Sequence, residues 1–190
     1  MWRLALYLYT FYTIYMFTHP TENLASFGLH PGMRIADFGS GSGFYTIAAA
    51  KQIGETGSVF AVDVQKELLA KIKNDAQKEN ISNIEYIWGD IEEKGGSRLG
   101  DGVVDVVFLS NTLFQIEDKD AVLREAYRVL KQKGRLLVID WTDSFGGLGP
   151  EASAVIDAAT AKDMCEKAGF VFEREFDPGE HHYALIYIKQ

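Results

Sequence analysis

The chain reads as an α/β protein, a doubly wound parallel sheet with helices on both faces that closes on an antiparallel hairpin. Three observations predict this. From residue 21 onward, short β-branched runs alternate with longer amphipathic ones, the pattern of successive βα units. The stretch Ile35-Ala36-Asp37-Phe38-Gly39-Ser40-Gly41-Ser42-Gly43-Phe44 joins a strand-like run to a helix-like run through three alternating glycines. Near the end, two strand-like runs are separated only by Asp177-Pro178-Gly179-Glu180, a connection short enough to make an antiparallel hairpin.

Each element follows from its local pattern. Residues 21–27 form a short helix ended by Gly28, residues 33–38 the first strand, and residues 44–53 the helix after the glycine loop. Gly57-Ser58 leads into a second strand over 59–62. Leu68, Leu69, Ile72 and Ala76 recur at helical spacing within a helix over 65–79. Residues 84–87 make the third strand, and the connection through Gly95, Gly96 and Gly100 leaves any helix there short. Residues 103–109 are almost continuously apolar, as a central strand covered on both faces requires. A helix over 121–130, a turn at Gly134 and a fifth strand over 135–140 follow. After the loop 143–150, a helix over about 154–168 stops at Gly169, and strands over 170–176 and 182–189 form the hairpin.

Composition narrows the classes of function. A chain of 190 residues with 47% hydrophobic and 24% charged residues suits one domain with a full core. Its formal net charge of −8 argues against a nucleic-acid partner, since phosphate binding draws on a basic surface. The single cysteine, Cys165, excludes an internal disulfide and fits a reducing, cytoplasmic compartment. Its helical setting predicts a small buried thiol rather than a nucleophile. No metal-binding cluster is expected.

Residues 1–17 stand apart: only Arg3, Thr10 and Thr13 interrupt the apolar run, and seven of its residues are aromatic. The run is short for a spanning helix, and Thr18-His19-Pro20 offers no small-residue cleavage site. Residues 1–20 are read first as a cap or lid over a ligand cleft, set before a domain over 21–190. A peripheral membrane anchor is the second reading, favoured by the Tyr and Trp content but lacking a basic face. A misplaced start or a truncated upstream element is the third.

The glycine loop carries the chemistry. Glycine lacks a Cβ and tolerates positive φ, so backbone can come within contact distance of a ligand, next to the free N–H groups of a helix start. The dinucleotide fingerprint places its last glycine three residues on, whereas here it lies two on. Asp37 adds a carboxylate two residues before the first glycine, which suits a cationic amino group better than a pyrophosphate. Twenty residues after Gly43, Asp63 ends the second strand, where a carboxylate can accept from ribose hydroxyls or cap the next helix.

This arrangement resembles the class I S-adenosylmethionine-dependent methyltransferases, whose pattern after the first strand is Asp/Glu-x-Gly-x-Gly-x-Gly. The resemblance extends over about residues 21–190 and is nearest to the small ubiquinone/menaquinone-biosynthesis-like and phospholipid N-methyltransferase-like group. It implies a Rossmann-like seven-stranded sheet of order 3-2-1-4-5-7-6 with strand 7 antiparallel. It implies S-adenosyl-L-methionine as cofactor and methyl transfer to an N, O, S or C atom of a small molecule; the aromatic content hints at an apolar acceptor. By the same resemblance, the backbone of Gly39, Ser40, Gly41 and Gly43 contacts the methionyl part, and Asp37 neutralises its amino group through water. Asp63 takes the ribose, Val64 packs on the adenine, and Gly89, Asp90 and Ile91 offer an acid and a backbone N–H to the adenine edge. Ser110 ends the fourth strand facing the transferred methyl. Asn111, Phe114, Gln115, Trp141, His181, His182 and Tyr183 are candidates for the acceptor side. The Asn/Asp-Pro-Pro-Tyr/Phe tetrapeptide of nucleobase amino methyltransferases is missing, and Gln115 stands where small-molecule relatives often carry histidine. No catalytic base is assigned.

Two rivals remain at this level. An NAD-binding oxidoreductase conflicts with the loop spacing and the terminal hairpin. A catalytically silent S-adenosylmethionine-binding domain shares every feature above.

Overall fold

The computed structural model describes residues 19–145 and 149–190. The three readings of residues 1–17, and the centre of the loop after the fifth strand, lie outside the described residues. One seven-stranded sheet, β3-β2-β1-β4-β5-β7-β6, organises the chain. Its strands are β1 (Arg34–Phe38), β2 (Ser58–Asp63), β3 (Ile84–Trp88), β4 (Val104–Ser110), β5 (Leu130–Trp141), β6 (Phe170–Phe176) and β7 (His182–Lys189). Strand β7 pairs antiparallel with both β5 and β6, and the other pairings are parallel. The expected strand order and the antiparallel seventh strand are both observed. Strand order reverses between β1 and β4, so the crevice at their carboxyl ends is where a doubly wound sheet binds its ligand.

Among the described residues five helices cover the sheet: α1 (Pro20–Phe27), α2 (Phe44–Ile53), α3 (Lys66–Lys78), α4 (Lys119–Val129) and α5 (Ala158–Lys167). On one face Leu24, Phe27, Ile53 and Ile72 pack against Ile35, Val59, Phe108, Leu137 and Ile186. On the other, Leu123, Val129 and Cys165 pack against Phe38, Val107, Leu136 and Tyr187. Each fully buried side chain of this size contributes about 1.5–3 kcal/mol. Helix α1 is fastened along its length. Buried Asn23 donates to the Tyr45 hydroxyl (2.9 Å) and the Pro178 carbonyl (3.1 Å), and Arg135 and Arg174 donate to carbonyls of its last turn. Among the described residues no helix is long and apolar enough to cross a membrane.

Some boundaries differ from the sequence expectation, and side-chain caps explain the helical ones. Helix α4 starts at Lys119 because Asp118 accepts from the Ala121 N–H (2.9 Å). Helix α5 starts at Ala158 rather than near 154, because Asp157 accepts from the Thr160 N–H (2.7 Å) and a 3₁₀ turn, Ala152–Ala154, takes up the preceding residues. Strand β5 begins at Leu130, passing Gly134 through a register shift against β4.

Candidate active site

The glycine loop is folded back on the sheet by the Gly39 and Ser40 N–H groups, which both donate to the Val62 carbonyl. Two of its glycines are required by close approach. At Gly39, with φ +71°, a Cβ would come within 2.7 Å of the Thr112 methyl; at Gly43, with φ +84°, it would come within 2.5 Å of Ile72. The loop is therefore held between the segment after β4 and helix α3. Gly43 leaves room for Ile72 of α3. The Gly41 N–H donates to Asp63 Oδ2 (2.9 Å), and the buried Ser40 hydroxyl has no hydrogen-bond partner.

Asp37 lies beneath this loop, 2% exposed. Its Oδ2 accepts from the Thr46 hydroxyl at 2.5 Å, and no cation pairs with it among the described residues. Burial pushes its carboxyl up to about 6; the Thr46 bond opposes that rise, while the charge of Asp63 adds to it. A buried carboxylate in this condition favours any cation that reaches the loop.

Asp63 fastens the two turns on either side of it and does not cap α3, whose N-cap residue, Gln65, receives no side-chain cap. Its Oδ1 accepts from the Gln65 N–H (2.8 Å) ahead of α3, and its Oδ2 holds Gly41. Each carboxylate oxygen has a second lone pair, so both retain acceptor capacity toward a ribose hydroxyl. Val64, 55% exposed, stands next to Trp88, 49% exposed, whose indole N–H donates to the Val64 carbonyl (3.0 Å). Together they form an apolar rim at the ends of β2 and β3, with the Lys66 ammonium 3.8 Å from the indole centroid. Gly89 is fixed by space, since a Cβ would meet the Gly96 carbonyl at 2.1 Å. Asp90 is exposed and accepts from the Glu92 N–H (2.9 Å). The Ile91 side chain is buried in the core, which leaves only its backbone for a ligand.

At the end of β4, Ser110 is half-buried and its carbonyl accepts from Thr112 (3.0 Å). Asn111 follows in a left-handed conformation, φ +54°, with Oδ1 buried and unpartnered. Phe114 is half-buried; Gln115 is exposed and donates to the Asn111 carbonyl (3.0 Å). Asp140, below this loop, accepts from the Leu113 N–H (2.9 Å) and the Trp141 N–H (2.9 Å). Burial pushes its carboxyl up to about 6 despite these bonds.

The hairpin end is divided between the two faces of the sheet. Opposite β5, Trp141 pairs with His182 and Asp140 with Tyr183. The Trp141 and His182 rings meet at 4.2 Å between centroids, whereas Tyr183 packs into the core on the α4–α5 face. The expectation that His181, His182 and Tyr183 share one site is corrected here, because neighbouring strand residues point to opposite faces. His181 precedes the strand with φ +61°, stacks on Phe145 at 4.1 Å, and pairs through Nδ1 with Asp143 at 2.8 Å.

Sequence reasoning missed Thr46, Trp88, Thr112 and Asp140 as parts of the site. Only Trp88 and Asp140 had a signal, each standing at the carboxyl end of a strand. Thr46 and Thr112 look like any helix or loop threonine until tertiary contacts are known.

The donor set fits a sulfonium nucleoside: a buried uncompensated carboxylate, an unpartnered Ser40 hydroxyl, an acid at the end of β2 and an apolar rim beside it. Fold and site define a Rossmann-like class I methyltransferase domain. Residues 29–179 match a family described as a methyltransferase domain, and the chain belongs to that family. S-adenosylmethionine is the cofactor this assignment carries. The chain is 33% identical over 117 residues to the ubiquinone/menaquinone biosynthesis C-methyltransferase of Vibrio campbellii, covering 60% of this chain and 44% of that protein. It is 31% identical over 153 residues to the arsenite methyltransferase of Halobacterium salinarum, covering 74% of this chain and 38% of that protein. The match thus spans less than half the length of these curated relatives. A solved S-adenosylmethionine-dependent methyltransferase from Aquifex aeolicus is similar with a TM-score of 0.83 and 28% identity, over 92% of this chain and 91% of that one.

Proposed function

We propose that this protein transfers a methyl group from S-adenosylmethionine to an N, O, S or C atom of a small molecule. The observation that carries the reading is Asp37, a buried carboxylate under the glycine loop that is held by Thr46 through its hydroxyl and backbone N–H and has no cation beside it among the described residues. Its burial is costly without a cation, and the amino acid moiety of the cofactor brings one. In this reading Ser40 and the loop backbone hold the carboxylate end, Asp63 the ribose, and Val64 with Trp88 the adenine. The bound cofactor supplies an electrophilic methyl on a sulfonium, which a nucleophile attacks in line. The chain's own contribution is alignment of the acceptor and exclusion of water.

The acceptor side is assigned to Ser110, Asn111 and Phe114 after β4 and to Trp141, Phe145, His181 and His182 after β5 and before β7. Four of these side chains are aromatic rings in two contacting pairs, which favours a planar or apolar acceptor. The relatives named above include a carbon methyltransferase and an arsenite methyltransferase, so an acceptor panel should span quinols, phenols, amines, thiols and trivalent arsenic. The test is calorimetric binding of S-adenosylmethionine against NAD, followed by transfer of labelled methyl to that panel. Binding of S-adenosylmethionine alone, with turnover of at least one acceptor, is expected. Binding of NAD instead would overturn the reading, and binding without any turnover would reduce it to a binding domain.

A further inference from the structure

Buried polar atoms normally find partners, so those that do not mark places where something else is meant to bind. Among the described residues these are Ser40 Oγ, Asn111 Oδ1, His182 Nε2 and the Tyr183 and Tyr187 hydroxyls. Tyr183 and Tyr187 belong to the core. The other three stand at or beyond the carboxyl ends of β1, β4 and β5. His182 is the only base among them.

His182 is 7% exposed. Its Nδ1 lies 2.8 Å from the Glu180 carbonyl, an atom that can only accept, so Nδ1 carries the hydrogen. In the neutral ring Nε2 therefore presents a lone pair, and nothing in the protein takes it up. The ring is held in place. Trp141 contacts it at 4.2 Å, and a Cβ on Gly149 would come within 2.9 Å of the same indole, which is thereby confined as well. Trp141 extends β5 two residues past Ile139, the partner of Ser110 at the end of β4. With strands about 4.8 Å apart and residues about 3.3 Å apart along them, His182 stands roughly 12 Å from the end of β4.

We propose that His182 Nε2 is the proton acceptor for the methyl acceptor, and that the acceptor is accordingly a nucleophile with a dissociable proton, a hydroxyl or thiol. This rests on the methyl-transfer reading above. The proton passes from the acceptor's O–H or S–H to Nε2, giving an imidazolium. The acceptor's electron pair forms the new bond to the methyl carbon, and the carbon–sulfur pair leaves with the neutral thioether. The imidazolium returns its proton to solvent. Burial keeps this imidazole below the usual histidine range, the Glu180 carbonyl and the Asp143 carboxylate pull upward, and His181 pushes downward; Asp140 and Tyr183 lie on the opposite face of the sheet. The ring is thus neutral, and able to take a proton, at ordinary pH.

The test uses the full chain with S-adenosylhomocysteine bound and 2-naphthol as the probe. Imidazole nitrogen NMR, assigned by the signal lost in His182→Asn, is expected to show hydrogen on Nδ1 and a saturable shift of Nε2 as 2-naphthol is added. His182→Asn keeps a donor for the Glu180 carbonyl and removes Nε2. It should lower kcat for aryl alcohols and thiols about 100-fold, and flatten the rise of kcat with pH, with little change in the KM for S-adenosylmethionine. His182→Gln returns a neutral acceptor near the Nε2 position and should restore 2-naphthol binding without restoring rate. An Nε2 signal unmoved by 2-naphthol while S-adenosylhomocysteine remains bound overturns the assignment, as does an equal loss of rate for alcohols and for free-base amines. Failure of S-adenosylhomocysteine to bind overturns the methyl-donor reading instead.

Discussion

Asp37→Asn should make the protein better folded and worse at binding its cofactor, and pH should reveal why. The substitution keeps the shape of the side chain and its acceptor for the Thr46 hydroxyl while removing the charge. Burial lifts the Asp37 carboxyl from 3.8 to about 6. A shift of that size corresponds to about 3 kcal/mol of unfavourable free energy in the folded, ionised protein. The folded chain holds this proton more tightly than the unfolded chain, so the cost is absent below about pH 4 and complete above about pH 6. Asparagine has no such dependence, although its amide N–H₂ needs partners and costs about 1–2 kcal/mol if they are missing. The absolute difference between the two proteins thus depends on how the amide is received, but its change with pH does not. Urea unfolding of the ligand-free proteins at matched pH values should show the variant gaining about 3 kcal/mol on the wild type between pH 4 and pH 8. Contributions of the other carboxylates, including Asp140 in the same range, cancel in that difference. Titration calorimetry should show S-adenosylmethionine affinity falling roughly 10- to 100-fold, the worth of one charge-assisted contact. Stability curves that run parallel in pH would refute the argument about burial, and unchanged affinity would refute the role of the charge.

Gly39→Ala should destabilise by about 2–4 kcal/mol, part from its left-handed backbone and part from contact with the Thr112 methyl. Adding Thr112→Ser removes that methyl, so the double variant should recover about 1–2 kcal/mol in a urea double-mutant cycle; simple additivity would contradict the contact. Glu125, buried against Arg128, Ser97 and Gly95, has its carboxyl held down to about 2 by these hydrogen bonds against the effect of burial. Its stabilisation is complete above about pH 4.5 and lost as pH falls toward 2, so Glu125→Gln should cost about 3 kcal/mol at pH 7 and progressively less in acid, measured by denaturant midpoint. Burial pushes the Cys165 thiol up to about 12, so an aromatic disulfide reagent should leave the native protein unmodified and label one thiol in urea.

The sheet was legible because its signals are local and repeated. The apolar run ending at Leu109, the glycine loop after Phe38 and the four-residue turn at Asp177 each specify an element without reference to any other. The helix starts at Lys119 and Ala158 were placed less well. Their caps, Asp118 and Asp157, sit among other plausible loop residues, and only the side-chain bond to the third residue onward identifies them. Gly134 marks a bulge that lets β5 begin at Leu130, a pairing with Val104 that no local pattern announces.

The site was legible in its acids and obscured in its supports. Asp37 and Asp63 stand at strand ends, where topology gives an acid a meaning. That Asp37 needs Thr46, and that Gly39 needs a threonine rather than a larger residue at 112, are facts of tertiary contact between positions 9 and 73 residues apart. The face of a strand is where sequence reading erred most. His181, His182 and Tyr183 are consecutive, and consecutive residues suggest one cluster. Yet the pleat sends His182 to Trp141 and Tyr183 into the core, while the positive φ at His181 turns it toward Asp143. The same alternation gives His182 its significance. A histidine one position earlier would be a half-buried partner of an aspartate; one position later it would be buried in the core. At 182 alone it is buried, fixed through Nδ1 and unpartnered at Nε2, beside the Trp141 ring at the end of β5.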